Sequence, residues 1–179
     1  AMVSTIVTTN MAAAIAKEYN VKFIEVLTGF KFIGEQIKLF EQTGSNNYVF
    51  GLEESYGCLA GTHARDKDAI VAVMMLCEAA AYYKSQGITL WDQMINMYNK
   101  YGYYAEDTKS LTLEGVDGSK QIEQMMNDFR NNTPNILGGL KVLALRDYKK
   151  EIRTDLVRNI QEKLDLPVSN VLYFELENN

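Results

Sequence analysis

Short β-branched or apolar runs alternate along the first 101 residues with longer segments whose apolar residues recur at helical spacing. The short runs predict strands at residues 3–8, 22–27 and 48–52. The longer segments predict helices at residues 11–19, 31–42, 69–86 and 89–101. Three successive strand–helix units predict an α/β fold, with a mainly parallel sheet that is flanked by helices and joined by right-handed crossovers.

The pattern changes after residue 101, where Gly102 and two tyrosines interrupt the last helix. Beyond this point the sequence predicts a strand at 110–114, a helix at 118–131 and strands at 140–145 and 170–177. The last predicted strand has no element after it, so we expect an incomplete α+β segment. The chain is therefore expected to form two domains, residues 1–102 and a truncated second domain at residues 103–179.

Composition narrows the class of protein. With 179 residues, 47% of them hydrophobic, the chain can bury a core. A formal net charge of -5 argues against sequence-independent binding of nucleic acid. The most apolar run, AIVAVMMLCEAAAYY, contains Glu78 and is too short to span a membrane. No secretory signal is visible, and two cysteines, Cys58 and Cys77, are too few for a disulfide framework, so we expect a cytoplasmic protein.

One segment, GLEESYGCLAGTHARDKDAI at residues 51–70, gathers an unusual set of chemical groups. It combines adjacent carboxylates, a hydroxyl, three glycines, the only histidine and two basic side chains; the candidates are Glu53, Glu54, Ser55, His63, Arg65 and Lys67. Thr28 and Gly29 follow the second predicted strand as this segment follows the third. If those two strands are neighbours, both loops face one crevice at the carboxyl ends of the strands, where ligands of parallel sheets bind.

The residue types indicate a phosphosugar as ligand. Carboxylates accept hydrogen bonds from vicinal hydroxyls, and glycine lets a ligand approach the backbone. Arg65 and Lys67, with His63 nearby, would attract a phosphate. Purely structural roles stay open as well: the two glutamates could be a solvated loop or a helix cap, His63 could be an exposed loop residue, and RDKD could be alternating charges at a helix start.

Two motifs in order, LTGFKFIG at residues 27–34 and FGLEESYG followed by HARDKDA, resemble domain III of the α-D-phosphohexomutases, the phosphoglucomutase and phosphomannomutase family. Within this family, the sequences EESYG and RDKDA are more similar to bacterial phosphoglucomutases than to phosphomannomutases. The end of the chain, LPVSNVLYFELEN, resembles the start of domain IV.

The resemblance assigns substrate-binding roles. It implies that Glu53 and Ser55 contact sugar hydroxyls, that Thr28 and Gly29 line the sugar site, and that His63 and Lys67 approach the sugar and its phosphate; Arg65 lies inside the same motif. The implied ligands are glucose 1-phosphate, glucose 6-phosphate or their mannose analogues.

The resemblance also implies what this chain lacks. In the family, the phosphoserine lies in a TASHNP-type loop, and a DGDxDR-type loop holds the magnesium. An RPSGTEPK-type loop makes the last phosphate contacts. None of these three loops is in the sequence. We therefore expect a fragment of a mutase that interconverts hexose 1-phosphate and hexose 6-phosphate through a bisphosphate. Mg²⁺ and hexose 1,6-bisphosphate would serve the full-length enzyme with domains I, II and IV. The fragment is expected to hold no metal, to carry no catalytic residue and to be inactive; the alternative is a stand-alone, non-catalytic phosphosugar-binding or interaction module.

Overall fold

A computed structural model describes residues 1–54 and 57–177 of the chain. The chain forms two compact units, the first spanning Ala1–Asp107 and the second beginning at Thr108. Within the described residues, no helix is both long enough and apolar enough to cross a membrane.

The first unit is a four-stranded sheet with helices. In chain order its elements are β1 (Met2–Thr5), α1 (Met11–Glu18), β2 (Phe23–Val26), α2 (Phe30–Thr43), β3 (Phe50–Glu53), β4 (Gly57–Ala60), α3 (Ala69–Ser85) and α4 (Leu90–Tyr101). The strand order is β2-β1-β3-β4, with β1 parallel to both β2 and β3 and β4 antiparallel to β3. The predicted α/β class with a mainly parallel sheet is confirmed.

Helix α2 supplies much of the core of this unit. Its apolar residues at helical spacing, Ile33, Ile37 and Phe40 among them, are buried against the sheet with Val3 and Leu59. The close approach depends on Gly51, because a β-carbon there would lie 2.7 Å from Ile33 Cγ2. Gly51 therefore allows β3 to lie close to α2.

The second unit is an antiparallel sheet preceded by one helix. Its elements are α5 (Gly115–Asn131), β5 (Ile136–Leu137), β6 (Leu140–Asp147), β7 (Ile152–Asp155), β8 (Ile160–Lys163) and β9 (Leu172–Leu176). The order is β5-β6-β7-β8, and β9 pairs with β6. Arg130, at the end of α5, is buried and donates from Nε to Asp147 Oδ1 at 3.1 Å, which ties the helix to β6.

Two predictions made from the sequence need correction. Residues 110–114 form no strand and lead directly into α5. The first strand ends at Thr5 instead of residue 8, because Thr8 N–H donates to Thr5 C=O at 3.1 Å and closes a turn. The sequence left the strand order open, and in the structure β1 lies between the second and third strands. Because all three run in parallel, their carboxyl ends nevertheless lie at one edge of the sheet.

Candidate functional site

The carboxyl ends of β1, β2 and β3 and the residues that follow them form one edge of the first sheet, called the carboxyl edge from here on. Thr5 ends β1 and a turn to Thr8 follows it, Thr28 and Gly29 follow β2, and Glu53 ends β3 and is followed by Glu54. Each candidate comes from a different strand, so the edge collects side chains that are far apart in sequence.

Gly29 is the N-cap residue of α2 at this edge. Its φ of 118° and ψ of 124° are a conformation that L side chains rarely adopt, so a glycine is needed to turn from β2 into the helix. No side chain of the described residues caps this helix end, and its first turn contains no acidic residue. Free N–H groups and the helix dipole make such an end favourable for an anion.

Glu53 and Lys67 form an ion pair beside this helix end. Lys67 Nζ lies 3.2 Å from Glu53 Oε1, 3.2 Å from Asp66 Oδ1 and 5.4 Å from the ring centroid of Phe30, the first residue of α2. The Glu53 side chain is only 5% exposed, whereas that of Lys67 is 37% exposed. Hydrogen bonds to Asp66 and then to Glu53 raise the pKa of the Lys67 ammonium group. The ammonium group therefore stays charged and accessible next to α2.

Glu53 keeps unused hydrogen-bonding capacity. Its Oε2 atom is buried and has no hydrogen-bond partner within the part of the chain that the structure describes. An unsatisfied buried carboxylate oxygen costs free energy. Ser55, its predicted companion in sugar recognition, lies outside the described residues.

Gly57 makes room for Lys67. A β-carbon at Gly57 would lie 2.2 Å from Lys67 Cδ and 2.5 Å from Lys67 Cβ. Strand β4 runs antiparallel to β3, with Gly57 opposite Glu53, so the lysine stem crosses β4 over the glycine to reach the carboxylate. Neither this strand nor the role of its first residue was predicted from the hydrophobic pattern.

A second polar cluster at the carboxyl edge was missed by sequence reasoning. Thr5 Oγ1 and Thr8 Oγ1 lie 2.7 Å apart, and both donate to Glu54 Oε2, at 3.1 Å and 2.9 Å. The only signal in the sequence was a pair of threonines that flank Ile6 and Val7. The two threonines lie 46 to 49 residues before Glu54 in the sequence, so these hydrogen bonds depend on β1 and β3 being neighbours.

His63 and Arg65 have partners of their own. His63 Nε2 lies 2.9 Å from Asp68 Oδ2. The other Asp68 oxygen accepts from Ile70 N–H and Val71 N–H and caps α3, as expected if RDKD marks a helix start. The hydrogen bond with His63, followed by that with Val71, lowers the pKa of Asp68.

Arg65 is directed to the far end of α2. Its Nη2 lies 2.6 Å from both carboxylate oxygens of Glu41, and its Nη1 donates to Thr62 C=O at 2.8 Å. Glu41 lies twelve residues beyond Gly29, about 18 Å along the helix at 1.5 Å per residue. Thus the structure brings Thr28, Gly29, Glu53 and Lys67 to the carboxyl edge but does not bring the Arg65 guanidinium there.

No metal centre is recognisable in the described part of the chain. Its His, Cys, Asp and Glu side chains form no group of three or more that could hold a metal ion. The magnesium that the resemblance implies for the full-length enzyme therefore has no fitting set of ligands among these residues.

Comparison with known proteins identifies the family. A family model described as phosphoglucomutase/phosphomannomutase, alpha/beta/alpha domain III, matches residues 1–101. The chain is 38% identical over 171 residues to a phosphoglucomutase of Staphylococcus aureus strain MRSA252 and 39% identical over 171 residues to one of Staphylococcus epidermidis strain RP62A. Each alignment covers 96% of this chain and 31% of the relative, so the chain spans about a third of their length.

A solved structure supports the fold. The open form of pp63/parafusin, a phosphoglucomutase from Paramecium, aligns with a TM-score of 0.56 and 19% identity over 97% of this chain and 28% of the other. The resemblance inferred from the LTGFKFIG and EESYG motifs is confirmed by the family match. The chain therefore belongs to the phosphoglucomutase/phosphomannomutase family, with residues 1–101 matching its domain III.

Proposed function

We propose that the carboxyl edge of the first unit recognises a phosphosugar. The observation that carries this proposal is the meeting of three features at one edge of a parallel sheet: the uncapped N-terminus of α2 at Gly29, the buried carboxylate of Glu53 and the accessible ammonium of Lys67. Hydroxyl groups and a phosphate are the ligand groups that these three features suit together.

The proposed role of each residue follows from its charge and burial. The carboxylate of Glu53, with the hydroxyl of Ser55, accepts or exchanges hydrogen bonds with sugar hydroxyls. Lys67 and the N–H groups at the start of α2 attract the phosphate, because both present positive charge at the same place. Thr28 and Gly29 line the site, and His63 approaches it from the loop before α3.

In the whole protein, this edge would orient a hexose phosphate while other domains perform phosphoryl transfer. The reaction would interconvert hexose 1-phosphate and hexose 6-phosphate through a bisphosphate, with glucose phosphates or their mannose analogues as substrates. Membership of the family supports this proposal, and the chain matches about a third of the length of its phosphoglucomutase relatives. Mg²⁺ would then be bound by residues outside this chain.

The two parts of the chain would have different roles. Residues 1–102 form the sugar-binding domain and residues 103–179 the beginning of domain IV.

Cys58 and Cys77 are free thiols, which suits a reducing cytoplasm.

Ligand-detected saturation-transfer NMR tests the proposal. The purified chain should transfer saturation to glucose 1-phosphate, and excess glucose 6-phosphate should compete. Glucose and inorganic phosphate should each compete more weakly, because each uses half of the site. A coupled assay should detect no mutase turnover by the chain alone. No saturation transfer to either hexose phosphate would refute phosphosugar recognition, and sustained turnover free of host enzyme would refute the fragment assignment.

The gene context separates a fragment from a stand-alone module. A reading frame that continues through a TASHNP-type loop upstream and an RPSGTEPK-type loop downstream supports the mutase. Binding without such a continuation would instead identify a non-catalytic phosphosugar-binding module.

A further inference from the structure

Glu54 is held by a pair of threonines that belong to a different strand. Thr5 is the last residue of β1 and is 2% exposed, and Thr8 ends the turn that follows. Their hydroxyls contact each other at 2.7 Å and both reach the same oxygen of Glu54, so the three side chains form one hydrogen-bond network. Two donors on one carboxylate oxygen restrict its orientation more than either donor could alone.

The network lies at the end of β3, where the chain leaves the sheet. Glu54 stands directly between Glu53 and Ser55, the two residues to which the proposed function assigns the sugar hydroxyls. Strand pairing ends close by, because the last pair between β1 and β3 joins Ser4 to Leu52. Beyond Leu52, backbone pairing between these strands is replaced by the side-chain contacts from Thr5 and Thr8.

We propose that Thr5 and Thr8 are positioning residues that act through Glu54 to hold the end of β3, and with it the Glu53 carboxylate, in its binding geometry. This inference rests on the proposed function, because its consequence is affinity for a phosphosugar. The threonines need not contact the ligand. They restrict the conformation of the chain at Glu54 before the ligand arrives, so that less conformational entropy is lost on binding.

The central test replaces one hydroxyl by a methyl group. Thr8→Val keeps the shape of the side chain and removes the donor to Glu54, whereas Thr8→Ser keeps the hydroxyl. In an amide NMR titration with glucose 1-phosphate, Thr8→Val should raise Kd about threefold to tenfold, the range that corresponds to the net contribution of a typical intramolecular hydrogen bond. Thr8→Ser should bind within about twofold of the wild-type chain.

A matched control uses Thr43, at the far end of α2. Its hydroxyl donates to Leu39 C=O at 2.7 Å and contacts Ser45 Oγ at 2.8 Å, remote from the carboxyl edge. Thr43→Val should leave Kd unchanged. Thermal unfolding of every variant distinguishes a specific effect from a general loss of stability.

The route through Glu54 is tested by a double-mutant cycle. If Thr8 acts through this carboxylate, Thr8→Val should have no further effect on Kd in a Glu54→Ala background. Equal affinities of the wild-type and Thr8→Val chains would overturn the inference, and so would an undiminished effect in the Glu54→Ala background. Failure of the wild-type chain to bind would instead refute the proposed function, and the inference would fall with it.

Discussion

Replacement of Gly57 by alanine is the sharpest structural perturbation of the candidate site. The new β-carbon would lie 2.2 Å from Cδ, 2.5 Å from Cβ and 2.8 Å from Cγ of Lys67. The outer carbons can rotate away, but the position of Lys67 Cβ is fixed by the backbone. Either β4 or the loop before α3 must therefore move, and overpacking of this kind costs about 1–3 kcal/mol.

Displacement of Lys67 adds a second cost. The Nζ atom would lose its 3.2 Å contact with Glu53, whose side chain is only 5% exposed. Breaking a buried ion pair costs about 3–5 kcal/mol, and partial exposure of the lysine places this case at the lower end. We expect Gly57→Ala to lower the free energy of unfolding by about 3 kcal/mol or more, which shifts the urea midpoint down by at least about 1 M.

Urea unfolding followed by circular dichroism measures this loss of stability. The same substitution in a Lys67→Gly chain tests whether the clash with Lys67 causes it. In a Lys67→Gly chain, the three obstructing carbons are absent, so Gly57→Ala should cost less than about 1 kcal/mol relative to Lys67→Gly alone. An unchanged midpoint for Gly57→Ala, or an equal cost in both backgrounds, would refute the view that this glycine exists to let Lys67 reach Glu53.

Two further predictions concern ion pairs. In the second unit, hydrogen bonds from Arg153 and then Arg146 lower the pKa of Glu175 from 4.5 to about 2, so its contribution to stability is present above pH 4.5 and is lost as the pH falls toward 2. Glu175→Gln should cost about 1–2 kcal/mol at pH 7, after allowance for solvent screening, and its deficit in urea unfolding should shrink at pH 3; a pH-independent deficit would contradict this. Arg65→Gln should change stability by less than about 1 kcal/mol, because Arg65 and Glu41 are both nearly half exposed, and should leave Kd for glucose 1-phosphate unchanged; a large loss of affinity would place the guanidinium at the ligand.

Hydrophobic spacing predicted α2 well because one face of this helix is buried. The pattern of Ile33, Ile37 and Phe40 predicted α2, and these residues are buried against the sheet. The alternation in residues 110–114 resembles a strand, but those residues have no strand to pair with in the described part of the chain. Strand β4, with four residues, was missed because GCLA follows a loop sequence and has no distinctive period.

The candidate site was only partly predictable because its contacts depend on strand order. The motifs identified Thr28, Gly29, Glu53 and Lys67, but the pairing of Lys67 with Glu53 requires β4 to fold back along β3. The contacts of Thr5 and Thr8 with Glu54 require β1 to lie beside β3.

Long side chains limited the prediction in a different way. The sequence places Arg65 two residues from Lys67, yet its guanidinium reaches Glu41 on another helix. Proximity in sequence fixes the position of the Cα atoms, whereas a long flexible side chain takes its direction from whichever partner the fold provides.

The most direct test of the central claim is an amide NMR titration of this chain with glucose 1-phosphate and then glucose 1,6-bisphosphate. It is repeated on a Glu53→Ala, Ser55→Ala double variant and, as a control, on Glu123→Ala in α5. We predict shifts at Thr28, Gly29, residues 53–55 and Lys67 that disappear in the double variant and persist in the control. The absence of shifts at millimolar ligand, or shifts that the double variant retains, would contradict the claim that the carboxyl edge recognises a phosphosugar.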